Sequence, residues 1–226
     1  MKPFTPPLAV VTRLLLALCV AVQVVATIGG PAFASWMVDN FGLVPARLTH
    51  SLGIGAAKLL PGIVPAPLTL LTSMFLHGGW MHLLLNMLFL AWVGRYVEWV
   101  VGRWRFLALY LLGGIAGGLL QVAVDPGSVA SVVGASGAIA AVFGAYAVLF
   151  ARSRVSARKI LGISISSDAL TALWYAAVWI GLQLLTAVAF NTGPFQVAIW
   201  THIGGFVTGL LFAQPFVRGP QIDPRV

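Results

Sequence analysis

Residues 78–97 read GGWMHLLLNMLFLAWVGRYV, a run with no acidic residue and a single arginine close to its end. A helix rises 1.5 Å per residue and needs about 20 apolar residues to cross a ~30 Å hydrocarbon core, so this stretch predicts a transmembrane helix. It also carries His82 and Asn86, four residues apart and therefore on one helical face. Five other stretches pass the same length test: 8–29, 106–124, 134–151, 169–190 and 198–217. They are bounded by Pro6-Pro7, Arg103 and Arg105, Asp125-Pro126-Gly127, the basic stretch Arg152 to Lys159, and Pro194. Backbone groups cannot go unpaired in lipid, and the runs are continuous rather than alternating, which favours helices over a β-barrel. The expected fold is all-α and polytopic, six transmembrane helices in one domain over 1–226.

Composition agrees. Of 226 residues, 60% are hydrophobic and only 8% charged, with a mean hydropathy of +0.98. Soluble domains carry about 25% charged residues, so a soluble enzyme and a disordered chain are both excluded. The net charge of +8 is spread between apolar runs and forms no basic face, which argues against a nucleic-acid partner. No Gly-Lys-Ser/Thr follows the glycine-rich stretches, so no nucleotide is expected. Cys19 is the one cysteine, which rules out a disulfide framework and a thiolate metal cage.

Basic residues mark the cytoplasmic side. With the N-terminus inside, that side holds Lys2, Arg95, Arg103, Arg105, Arg152, Arg154, Arg158, Lys159, Arg218 and Arg225, against Arg47 and Lys58 outside, with Arg13 in the first span. Both termini are expected in the cytoplasm, and a bacterial plasma membrane is the expected location. Lys2, an apolar run and Ala32-Phe33-Ala34 also resemble a signal peptide with its cleavage site; the run is long for that, and a retained first helix is the favoured reading. The long outer connection, 30–77, is neither polar nor long enough in any piece to span. It is expected to form short helices in the membrane interface, either with a functional role or as a packing lid.

Ionisable and amide groups are costly in a membrane, which makes each one a functional candidate. His82 and His202 lie about four residues, roughly 6 Å, from the outer ends of their helices. Asn86 is a turn deeper, and Ser136 stands near the outer start of the fourth span. Three helices thus place polar groups in the outer third of the bilayer. Ser136, in Gly134-Ala135-Ser136-Gly137, reads as a packing serine or as a nucleophile whose hydroxyl the glycines leave open. The helix starting there aims its N–H groups at a developing oxyanion. His202 reads as its base or as a buried structural histidine; Gly205 and Gly209 form a GxxxG pair suited to close helix contact. No third triad member is evident, so the economical arrangement is a Ser-His dyad with His82 and Asn86 as oxyanion donors. A metal held by His77, His82 and His202 is disfavoured, because no acidic residue accompanies them in the pattern zinc helices use.

His77-Gly78-Gly79-Trp80-Met81-His82 to Asn86, Gly134-Ala135-Ser136-Gly137 and His202-Ile203-Gly204-Gly205 together resemble the rhomboid intramembrane serine proteases, in order, spacing and topology, from about 8 to 217. Gly94 to Glu98 followed by Gly102 to Phe106 is similar to the family's link between its second and third spans. The resemblance implies a nucleophile at Ser136, a base at His202, and oxyanion support from His82, Asn86 and the Ser136 amide, with His77, Gly134 and Gly137 as possible supports. It implies no cofactor and no metal. It also implies a cavity open to the outer face, and substrates that are membrane-anchored proteins cut in or near their transmembrane segments. Two departures stand out. Ala140 occupies the place, one turn after the serine, where relatives commonly carry an aromatic that packs on the base, leaving Phe143 or Tyr146 to orient His202. The first loop lacks the Trp-Arg pair often seen before its Thr-x-x-Phe-x-His stretch, which bears on loop stability. The alternatives are a catalytically silent relative that binds or escorts transmembrane helices, and a small transporter using the polar cluster as a path.

Overall fold

The computed structural model describes residues 6, 9–54, 62–150, 158–160, 163–165, 170, 173–175, 177–178, 181 and 198–217. Its helices are α1 (Val10–Ile28), α2 (Gly30–Phe41), α3 (Pro45–Ser51), α4 (Thr69–Thr72, between 3-10 turns at Ala66–Leu68 and Ser73–Phe75), α5 (Trp80–Val101), α6 (Arg103–Val124), α7 (Ser136–Phe150) and α8 (Ile199–Phe212). α1, α5 and α6 are long and apolar enough to cross a membrane. α7 and α8 are apolar and shorter, with 15 and 14 described residues, about 22 Å of helix. The fifth expected span, 169–190, lies outside the described residues except for isolated helical positions. Arg158–Ile160 and Ile163–Ile165 pair antiparallel, with Lys159 opposite Ser164, in a short hairpin rich in β-branched isoleucine.

α1 shows how the chain is adapted to lipid. Thr12, Cys19 and Gln23 face inward with Leu15 and Ala26, at three- and four-residue spacing, while Leu14 and Val25 are more than half exposed. The centre of the bundle is α7. Ala138 to Ala145 are all buried, and α5, α6 and α8 pack around them. Small residues permit this. A Cβ on Gly205 would collide with the Gly137 carbonyl oxygen and one on Gly209 with that of Ala141, so α7 and α8 meet backbone to backbone.

An unexpected polar contact fixes α1. The Glu98 carboxylate, near the end of α5 and buried, accepts from the Val11 N–H (2.9 Å), the Thr12 N–H (2.8 Å) and the Thr12 hydroxyl (2.8 Å). It satisfies N–H groups that a helix start leaves unpaired and places negative charge at the positive end of the helix dipole.

After α1 the described residues up to α5 fold as short helices, and α2 has no buried residue; the Phe33 and Trp36 rings stack on it at 5.4 Å. Backbone hydrogen bonds in both directions join Leu43 to Val132 (3.0 and 2.8 Å), and the Gly134 N–H donates to the Ser73 carbonyl (2.9 Å). The Thr72 hydroxyl reaches the Phe41 carbonyl, and Arg47 the Asp39 carbonyl, each at 2.6 Å. The loop is thus tied to itself and to the strand-like approach to α7 without a Trp-Arg pair.

Candidate active site

Ser136 is the first residue of α7. The extended approach to it ends at Gly134, whose φ of +129° an L side chain rarely adopts. A Cβ there would also lie 2.9 and 3.0 Å from His82 Cε1 and Nε2, and 3.6 Å from Ser136 Oγ. Glycine at 134 therefore lets the imidazole of α5 stand beside the hydroxyl of α7. His202, on the first turn of α8 and buried, brings Nε2 to 2.7 Å from Ser136 Oγ. The two residues are 66 positions apart, and the glycine contacts between α7 and α8 create the approach.

His82 Nδ1 accepts the Gly78 N–H at 3.3 Å. In a neutral ring the proton then resides on Nε2, the nitrogen beside Gly134 and Ser136, making His82 a donor on the side where it is useful. Asn86 is buried and donates through Nδ2 to the His82 carbonyl, 2.8 Å away on its own helix. An amide nitrogen has two hydrogens, so this local bond leaves one available.

His77 lies on the turn before α5, its ring edge-on to that of His82 at 5.2 Å between centroids. Neither of its nitrogens has a hydrogen-bond partner among the described residues. Burial first, and then the His82 ring, push its pKa down to about 3, against a weaker upward pull from the Phe75 backbone. The unfolded chain, with an ordinary histidine near 6.5, binds the proton that the folded one rejects. This contribution to stability is present above pH 6.5 and disappears as the pH falls towards 3. His77→Gln is therefore expected to flatten the fall in melting temperature over that range in detergent; an unchanged slope would remove His77 as a source of acid sensitivity.

Ala140, fully buried, leaves no ring one turn after Ser136. Phe143 packs on Phe206 (6.3 Å), one turn beyond His202 on the same helix, and stacks on Tyr146, so its ring bears on α8. The sequence offered no sign of the Ser73 carbonyl that holds Gly134, nor of Thr201, whose carbonyl and methyl press on Gly117 and Gly137. Among the described residues no three His, Cys, Asp or Glu side chains gather as a metal would require.

These features define a class of helical membrane protein whose bundle carries a hydrogen-bonded serine–histidine pair at the head of a short apolar helix. The family description "Rhomboid domain" matches residues 66–219, and the chain belongs to the rhomboid family. It is 34% identical to RHOMBOID-like protein 4 of Arabidopsis thaliana over 176 residues, which is 76% of this chain and 40% of that protein. It is 32% identical to Rhomboid-like protease 5 of Toxoplasma gondii over 146 residues (65% of this chain, 16% of that one). With Rhomboid protease GluP of Bacillus subtilis it shares 32% over 144 residues (64% and 25%). The chain thus spans less than half the length of these relatives.

Proposed function

We propose that the protein is a serine endopeptidase that hydrolyses peptide bonds in or near the transmembrane segments of membrane-anchored proteins. The observation that carries this reading is the 2.7 Å contact between Ser136 Oγ and His202 Nε2. As Oγ attacks the scissile carbonyl, its proton passes to His202 Nε2. The imidazolium then gives that proton to the departing amine, and a water attacks the acyl-enzyme with His202 again as base. The Ser136 N–H, the His82 Nε2–H and the second Asn86 N–H are the donors assigned to the tetrahedral oxyanion. Relatives named as proteases support the assignment.

The test is cleavage of a single-span substrate with a small residue before the scissile bond, by purified protein in liposomes, with Ser136→Ala alongside. Cleavage lost in the variant supports the proposal. Cleavage that survives it removes Ser136 as nucleophile, and a folded wild type that binds the substrate without cutting it favours the silent helix-binding alternative. His82→Ala should lower kcat about a hundredfold to a thousandfold with KM little changed, since its N–H acts on charge that develops only in the transition state. A change confined to KM would place His82 in substrate binding instead.

A further inference from the structure

Away from the serine, the first half of α1 and the first turn of α6 leave an apolar groove of about 240 Å³ between them. Val10, Leu14 and Leu18 line it from α1, and Leu107, Trp104 and Arg103 from α6. The α1 residues lie one turn apart, so the groove follows the helix for about 12 Å. Leu14 and Trp104 are 63% and 64% exposed, so it opens sideways, towards where lipid lies around a membrane bundle.

Only one end of the groove is charged. Arg103 holds its guanidinium 5.2 Å from the centre of the Trp104 ring, and Arg105 is exposed beside it. The first turn of α6 contains no acid, so these cations sit where the helix's own N–H groups already make the potential positive. The nearby carboxylate, Glu98, is committed to the start of α1, and among the described residues no acid pairs with Arg103. An aromatic ring and an arginine at the mouth of an apolar slot match the layering of a phospholipid, whose chain meets its phosphate at the membrane interface. A transmembrane helix laid in the groove would meet its apolar wall but leave the arginine without an anion.

We propose that this groove is a binding site for an anionic phospholipid, one acyl chain lying along Val10, Leu14 and Leu18 and the phosphate resting on Arg103. The site does not depend on the proposed proteolysis. Trp104 provides the probe. The full chain is reconstituted in phosphatidylcholine vesicles and titrated with phosphatidylglycerol carrying brominated chains, which quench tryptophan at short range. The Trp104 signal is taken as the difference between the wild type and Trp104→Phe. Quenching is expected to show phosphatidylglycerol preferred over brominated phosphatidylcholine by about fivefold or more, the effect of one interfacial cation. Arg103→Ala should abolish the preference and Arg103→Lys should retain most of it. Val10→Phe, which fills the groove without touching the charge, should also lower it. Equal quenching by the two lipids overturns the proposal. So does a preference that survives Arg103→Ala, and a preference untouched by Val10→Phe assigns the headgroup to an open surface rather than to this groove. Concentration-dependent crosslinking between Leu14→Cys copies would assign the groove to a second copy of the chain and overturn the lipid site.

Discussion

His202→Ala, Ser136→Ala and the double variant are expected to lose the same activity, a thousandfold or more, and to retain the melting temperature of the wild type within a few degrees. The equality matters more than the size. Oγ and Nε2 share one proton across 2.7 Å, so removing either end disables the same step, and removing both takes away nothing further. Independent roles would make the double variant additive. Rates on a single-span substrate in liposomes, corrected with a heat-killed control, decide between the two. A His202→Ala variant that keeps even a tenth of the activity would mean that another group takes the serine proton. The melting temperature guards against a trivial cause, because α8 packs on α7 through Gly205 and Gly209, not through the imidazole.

The second large effect concerns stability. Glu98→Ala removes the acceptor for two backbone N–H groups and one hydroxyl, all buried, and leaves the start of α1 unsatisfied. Each orphaned donor costs about 1–3 kcal/mol, so with three of them a loss of about 3 kcal/mol or more is expected. Glu98→Gln keeps one acceptor oxygen and should lose less. Hydrogen exchange should locate the damage at Val11 and Thr12, with the α7–α8 contact still protected. Protection unchanged at α1 would show that the helix is held by its apolar face alone.

Much of this was legible in the sequence, for identifiable reasons. The apolar runs fixed helices because lipid allows a span little else, and α1, α5 and α6 lie within a few residues of their expected bounds. Ser136, His82 and His202 stood out because polar atoms are expensive there, and the structure gathers them around Gly134. Other features depend on contacts between distant segments that no local pattern encodes. Glu98 stood only as part of a family-like link after the second span, yet it caps a helix 86 positions earlier. The pairing of Leu43 with Val132 is likewise a matter of tertiary register. Asn86 was expected as an oxyanion donor. Its bond to the His82 carbonyl, one turn back on its own helix, takes one of its two amide hydrogens, and no sequence pattern announces it.

The division of the serine and the histidine between α7 and α8 has a consequence for biogenesis. A ribosome delivers Ser136 first and His202 66 residues later. On the proposed chemistry, a nascent chain carries a disarmed hydroxyl until α8 is inserted and docks. On that chemistry the docking of α8 is the arming step, and a chain cut short before it could not cut its neighbours in the membrane.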